Sequence, residues 1–271
     1  MVNSNPATKF ISCDWGTSHF RLRLIERARL TLIAEHTSDQ GIQSLAVEYP
    51  QINARRDAMS HVLRTGIAAL EVTDQTEIPV VISGMASSTL GWQSLPYATL
   101  PAPVDGSTLE YLDFTIDERQ VRLISGLQSS SDVMRGEETE LLGLITGLGD
   151  TDSSRDSVII LPGTHSKHVR IRNGIIEDFT THLTGEIFQL LNERSTLRAT
   201  GETSFDASAF LEGVATNQSL GTSSALFRTR SRVLLGQLAP AHSSSFLSGV
   251  LIGAELSTLT NETDTRIVLA A

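Results

Sequence analysis

The sequence predicts an α/β fold of two domains built on one duplicated plan. Three observations predict it. A strand, a tight turn, two further strands and a helix begin near Lys9, and the same order of elements returns near Ser157. The strands carry the period of half-buried sheet: Phe20, Leu22 and Leu24 alternate with Arg21 and Arg23. Residues 147–156 are polar, acidic and turn-rich, which marks a boundary between the halves. A repeat this long implies two similar domains rather than a solenoid. The expected domains are residues 1–147 and 157–271.

Taken in order, residues 1–8 form a loose leader. Strands follow at 9–14, 20–26 and 30–36, with a turn at Gln40-Gly41. Ile52, Met59, Val62, Leu63, Ile67 and Leu70 recur at helical spacing over 50–71. Residues 79–83 form a buried strand and 84–91 a glycine- and serine-bearing loop leading to Trp92. Residues 95–103 hold three prolines and exclude a regular helix. A strand at 121–124 precedes a helix over 132–146, with Asp132 as its N-cap. The second half repeats strands at 158–161, 167–171 and 175–181, then a helix at 185–193. Helices at 203–216, 223–240 and 245–259 follow, and a last strand at 266–270.

Composition narrows the function classes. Net charge is −10 and no basic stripe is present, which argues against a nucleic-acid partner. Of 21 basic residues only Lys9 and Lys167 are lysine. One cysteine, Cys13, excludes an intrachain disulfide and is compatible with the cytoplasm. The sequence shows neither a secretory signal nor an apolar run of bilayer length.

The two turns carry the candidate chemistry. Asp14 stands at the mouth of the first, beside Gly16, Thr17 and Ser18. Successive turn N–H groups with two hydroxyls can cradle phosphate oxygens, and the Asp14 carboxylate suits Mg²⁺. A turn that only reverses the chain is the competing reading. The second turn offers Gly163, Thr164, His165, Ser166 and Lys167, and a compact ammonium is a good point charge for phosphate. Its competing reading is an exposed surface lysine. Two such hairpins heading two repeated domains would face one another across a cleft that clamps a nucleotide's phosphates. No second His or Cys stands at metal-ligand spacing from His165, which argues against zinc.

Four stretches resemble a known family. They are Asp14-Trp15-Gly16-Thr17-Ser18; Gly84-Met85-Ala86-Ser87-Ser88 through Gly91-Trp92, Pro96-Tyr97 and Pro101-Ala102; Val133-Met134-Arg135-Gly136-Glu137-Glu138-Thr139; and Leu161-Pro162-Gly163-Thr164-His165-Ser166-Lys167 followed by Thr184-Gly185-Glu186. Together they resemble the actin-like ATPase (ribonuclease H-like) superfamily of sugar kinases, and within it the 2-dehydro-3-deoxygalactonokinases. The resemblance spans nearly the whole chain. It departs at Ser87, where that family commonly has glycine.

The resemblance implies a two-domain actin-like fold with an interdomain cleft, ATP and Mg²⁺ as cofactors, and transfer of phosphate to the terminal hydroxyl of 2-dehydro-3-deoxy-galactonate. It implies nucleotide contacts from Gly16, Thr17, Ser18, Gly163, Thr164, His165, Lys167, Thr184, Gly185 and Glu186. It makes Gly84, Met85, Ser87 and Ser88 a substrate loop, walled by Trp92 and Tyr97. The acceptor is an alcohol, so a base must take its proton. Glu137 or Glu138 is that base, since neighbours diverge by about 100° around a helix and only one points inward. Arg135 is the expected bidentate partner of the substrate carboxylate. A homodimer is compatible with the resemblance.

Two other classes compete with the kinase. One is a nucleotide-switched assembly protein on the same fold, and the other a catalytically silent member. The family continues past residue 271 into a loop and helix that help hold adenosine, which makes a truncated chain with weak ATP binding the expectation. The sequence leaves the sugar acid's stereochemistry open.

Overall fold

The computed structural model describes residues 7–71, 78–148, 156–198, 203–259 and 265–270. Most of the expected leader (residues 1–6) and of the expected boundary (149–155) lie outside them. The chain groups into two compact units, Met1–Ser154 with Asn173–Asp178 and Arg155–Arg172 with Phe179–Ala271.

The first unit opens with β1 (Lys9–Trp15), β2 (Phe20–Glu26) and β3 (Thr31–Ser38), then α1 (Ile42–Glu48) and α2 (Ile52–Ala69). β4 (Val80–Gly84) runs into a 3₁₀ turn, Met85–Ser87, and the two-residue strands β5 (Ala98–Thr99) and β6 (Ala102–Pro103). β7 (Tyr111–Ile116) and β8 (Arg119–Ile124) form a hairpin, followed by the short β9 (Leu127–Gln128) and β10 (Val133–Met134) and by α3 (Glu137–Leu148). The main sheet has the order β3-β2-β1-β4-β8-β7. β1 is antiparallel to β2 and parallel to β4. Its apolar face buries Trp15, Phe20 and Leu22 completely, with Met59 and Leu63 of α2 in the same core. The alternation of Phe20, Leu22 and Leu24 with arginines places the apolar set on that face.

The second unit holds β11 (Ser157–Leu161), β12 (Ser166–Arg172) and the later half of β13 (Ile175–His182), then α4 (Thr184–Arg194), α5 (Ala207–Leu220), α6 (Thr222–Leu234), α7 (Ser243–Leu256) and β14 (Arg266–Leu269). β11 is antiparallel to β12 and parallel to β14. Within the five-stranded order β6-β13-β12-β11-β14, the run β13-β12-β11-β14 repeats the plan of β3-β2-β1-β4. The duplication seen in the sequence is therefore a duplication of topology. β6 pairs with the beginning of β13, Ala102 against Ile176 and Pro103 against Ile175, within the stretch grouped with the first unit.

The structure corrects several boundaries. The helix expected from Asp132 begins five residues later, at Glu137. Asp132 instead accepts from the N–H of Val133, and Val133–Met134 pairs with β9. Gly136 then takes φ +111°, a left-handed backbone that ends the strand and that residues with a Cβ rarely adopt. α1 and β7 are additional to the expected elements. The helix expected over 223–240 stops at Leu234, and that expected from 245 starts at Ser243.

Candidate active site

Asp14 lies in β1 one residue before the turn, directly across from Arg21 of β2. Their side chains form a loose ion pair, Arg21 Nη1 to Asp14 Oδ2 at 3.7 Å, and about half of the Asp14 side chain stays exposed. Burial against the surrounding chain pushes its carboxyl above the ordinary value, Arg21 and Arg23 pull it down, and Glu137 pushes it up.

The turn is closed by Gly16 N–H donating to the carbonyl of His19 at 2.9 Å, so this amide is spent within the turn. The carbonyls of Gly16 and Thr17 accept the N–H groups of Ile42 and Gln43, both at 3.0 Å. The amino end of α1 therefore sits on the turn. Gly41 makes this possible: a Cβ there would lie 2.3 Å from the backbone of Ser18. Thr17 and Ser18 remain exposed, and among the described residues their N–H groups and hydroxyls carry no hydrogen bond.

The start of α3 reaches the same place. Trp15 is level with Gly84 at the end of β4, and a Cβ on Gly136 would lie 3.3 Å from Gly84 Cα. The two adjacent glutamates then part. Glu137 is half-buried and its Oε2 accepts the N–H of Arg135 at 3.0 Å. Glu138 is fully buried, and accepts Gly136 N–H at 2.6 Å and the Thr139 hydroxyl at 3.2 Å. Burial lifts its carboxyl from 4.5 to about 7, with Glu137 adding to the rise and the donated hydrogen bonds opposing it. Glu140 is also raised, by burial first and then by Asp14 and Glu137. Asp14, Glu137 and Glu140 thus form one acidic group, relieved by Arg21 and Arg23.

The 84–97 loop is organised by Arg135. Its Nη1 donates to the carbonyl of Ser87 at 2.8 Å and to the Ser87 hydroxyl, Nη2 to the carbonyl of Leu95 at 3.4 Å, and Nε to the Tyr97 hydroxyl at 3.4 Å. The guanidinium also stacks 4.1 Å above the Tyr97 ring. All three nitrogens are committed, so the expected bidentate grip on a substrate carboxylate gives way to a strut across the loop. Ser87, where the resemblance expects glycine, is fully buried and supplies part of that strut. Trp92 is corrected as well. It is 8% exposed and packs against Trp15 and Phe114 in the core, so it walls no pocket. Met85 and Ser88 are half-buried beside it in the chain.

In the second unit the turn residues Gly163, Thr164 and His165 are exposed. Glu186 N–H donates to the carbonyl of Thr164 at 2.9 Å, and a Cβ on Gly185 would lie 2.4 Å from the carbonyl oxygen of Gly163. The amino end of α4 sits on this turn as α1 sits on the first. His165 Nε2 meets Glu186 Oε2 at 2.6 Å. Lys167 is only 3% exposed, with Nζ donating to the carbonyl of His165 at 3.2 Å, so it is no surface lysine.

Sequence reasoning missed one residue here. Glu255 of α7 accepts from Ser166 Oγ at 2.7 Å and from His168 Nε2 at 2.9 Å. Burial pushes its carboxyl up, but hydrogen bonds from His168, Thr184 and Ser166 outweigh this and bring it to about 2. The available signal was a lone charge in the otherwise uncharged helix of residues 243–256.

A family model for 2-keto-3-deoxy-galactonokinase matches residues 14–271, a span that holds all four motif stretches. The chain is 33% identical to the 2-dehydro-3-deoxygalactonokinase of Escherichia coli (strain K12), over 93% of this chain and 80% of that protein. It is also 33% identical to a Rhizobium meliloti (strain 1021) protein provisionally named 2-dehydro-3-deoxygalactonokinase, over 92% of this chain and 79% of that one. A solved Sinorhizobium meliloti structure, titled as a candidate 2-dehydro-3-deoxygalactonokinase, superposes with a TM-score of 0.77 at 29% identity, covering 96% of this chain and 85% of its own.

Proposed function

We propose a reaction for this chain from one premise: it belongs to the 2-keto-3-deoxy-galactonokinase family. It is a sugar-acid kinase of the actin-like ATPase fold that transfers the γ-phosphoryl group of ATP to the terminal, 6-hydroxyl of 2-dehydro-3-deoxy-galactonate. The observation that carries this reading is the family match over residues 14–271, supported by the acidic group around Asp14. A cytoplasmic location belongs to the same reading, and no helix among the described residues is long and apolar enough to cross a membrane.

The geometry within each unit supports the following roles. In the transfer a bond forms between the sugar oxygen and the γ-phosphorus, the bond to ADP breaks, and the hydroxyl proton must leave. Glu137 takes that proton. It is the less buried of the pair and lies beside Asp14 electrostatically, whereas Glu138 is sealed and hydrogen-bonded to the backbone. Glu138 fixes the start of α3 and so holds Glu137 in place.

Asp14 is the residue that would hold a divalent cation, Mg²⁺ in this reading. The fit is chemical: the Asp14 carboxylate stays about half exposed at the mouth of the turn, and Mg²⁺ is typically held by one or two carboxylates plus phosphate oxygens. Bound, the cation would supply charge neutralisation at the phosphates. Thr17 and Ser18 offer open donors at the first turn, and Gly163, Thr164, His165 and Lys167 bind phosphate oxygens at the second. Thr184, Gly185 and Glu186 support the second turn from the head of α4. The loop Gly84, Met85, Ser87 and Ser88, with Tyr97, shapes the sugar-acid site, held by the Arg135 strut.

The test is ATP consumption with and without 2-dehydro-3-deoxy-galactonate. Turnover that requires the sugar acid is expected. Turnover indifferent to it, or none in its presence, overturns the reading.

A further inference from the structure

Glu255 touches three pieces of the second unit at once. Ser166 and His168 are the first and third residues of β12, the strand that leaves the second turn. Thr184, its third partner, opens α4, the helix whose next residues rest on that turn. Glu255 itself sits near the end of α7 and is 8% exposed. Alternation along a strand puts Ser166 and His168 on one face and Lys167, between them, on the other. A carboxylate that grips both flanking side chains therefore fixes the rotation of β12 about its own axis, and with it the direction of Lys167. Through Thr184 it also fixes the helix head that covers the carbonyls of the turn. The remaining ring nitrogen of His168, Nδ1, has no hydrogen-bond partner, so Glu255 makes the imidazole's one hydrogen bond, while the ring packs against His182 with centroids 4.4 Å apart.

We infer that Glu255 is a positioning residue for the nucleotide end of the reaction: it sets the shape of the second hairpin, and so the affinity for the phosphates of ATP, without touching either substrate. The inference rests on the proposed role of Lys167 and its turn. A residue serving general stability would weaken both substrates together. Glu255 should weaken only one.

The experiment compares Glu255→Gln with wild type and with Lys167→Ala. Glu255→Gln keeps the size and one acceptor oxygen but loses the charge that strengthens three hydrogen bonds. Three quantities are read: the dissociation constant of a non-hydrolysable ATP analogue with Mg²⁺, the KM for 2-dehydro-3-deoxy-galactonate, and amide hydrogen exchange in residues 162–168. The expected result is an analogue dissociation constant raised about tenfold, a sugar-acid KM within about twofold of wild type, and faster exchange in 162–168. If Glu255→Gln folds poorly, Ser166→Ala removes a single donor and should move the same quantities about two- to threefold. Wild-type analogue affinity and exchange in a folded variant would overturn the inference, as would equal weakening of both substrates. Lys167→Ala separates the two readings. Should it leave analogue affinity unchanged while Glu255→Gln still loosens 162–168, the phosphate assignment fails and the hold on the hairpin stands.

Discussion

Two glutamates are buried among the described residues, Glu138 in the first unit and Glu255 in the second. They share a side chain and a comparable depth, at 0% and 8% exposed, yet their carboxyls move in opposite directions, to about 7 and to about 2. Burial favours the neutral form of both. The difference is in the partners. Glu138 has Glu137 beside it and accepts two neutral donors. Glu255 accepts from His168, Thr184 and Ser166. The first hairpin thus belongs to an acidic neighbourhood and the second to one that converges on a single satisfied anion. One backbone plan, used twice, carries opposite electrostatics.

The sharpest way to break this contrast is at the acidic end. Asp14→Asn should lower turnover about 10²–10³-fold, or about 3–4 kcal/mol of transition-state stabilisation, with the circular dichroism spectrum unchanged. Glu137→Gln should lower kcat about 10²–10⁴-fold with little change in KM. Glu138→Gln should be mild by the same assay. If Glu138→Gln abolishes kcat and Glu137→Gln does not, the roles are reversed.

The pH dependence of stability is the next largest effect. The Glu138 carboxyl is raised in the folded state, so its contribution is present below pH 4.5 and is lost as pH rises to about 7. The loss amounts to about 3 kcal/mol over that window. Urea titrations from pH 4 to 8 should show the fall in wild type and a flatter profile in Glu138→Gln. The Glu255 carboxyl is depressed, so its contribution is present above pH 4.5 and is lost as pH falls toward about 2. Glu255→Gln should therefore differ from wild type at neutral pH and converge on it in acid.

The smallest expected effect tests what the hairpins share. Gly41→Ala and Gly185→Ala each drive a Cβ into turn backbone, at 2.3 and 2.4 Å, and should each cost about 1–3 kcal/mol by thermal unfolding. Equal costs sharpen the picture of a common scaffold. A neutral Gly185→Ala would show that α4 can lift off its turn where α1 cannot.

The shared scaffold was legible in the sequence, and the contrast was not. Periodicity exposed the strands that flank each turn, because a strand's side chains report its two faces directly. The head of α3 misled, since Asp132 has the chemistry of a helix cap and only the backbone of Gly136 shows where the helix can start. Trp92 has the setting of a loop aromatic that walls a pocket, but its contacts with Trp15 and Phe114 come from residues 77 and 22 positions away. The sequence offers Arg135 as a bidentate partner for a substrate carboxylate, but its partners in the fold, at Ser87, Leu95 and Tyr97, lie 38–48 positions upstream. Ser166 and Glu255 stand 89 positions apart. Local pattern reveals which way a residue faces, and a long-range partner is set by topology that the pattern does not encode.

The packing of Trp15 has a spectroscopic consequence. The chain has two tryptophans, Trp15 and Trp92, and both lie in the first unit with ring centroids 6.1 Å apart. Indole emission therefore follows the melting of one half of the molecule and is silent about the other, while far-ultraviolet circular dichroism follows both. Trp15 also adjoins the turn after Asp14, with its Nε1–H donated to the carbonyl of Gln40 at 2.9 Å. A chain without any added dye thus carries a reporter for its acidic half. The gap between its emission and dichroism transitions measures how independently the two copies of the plan come apart.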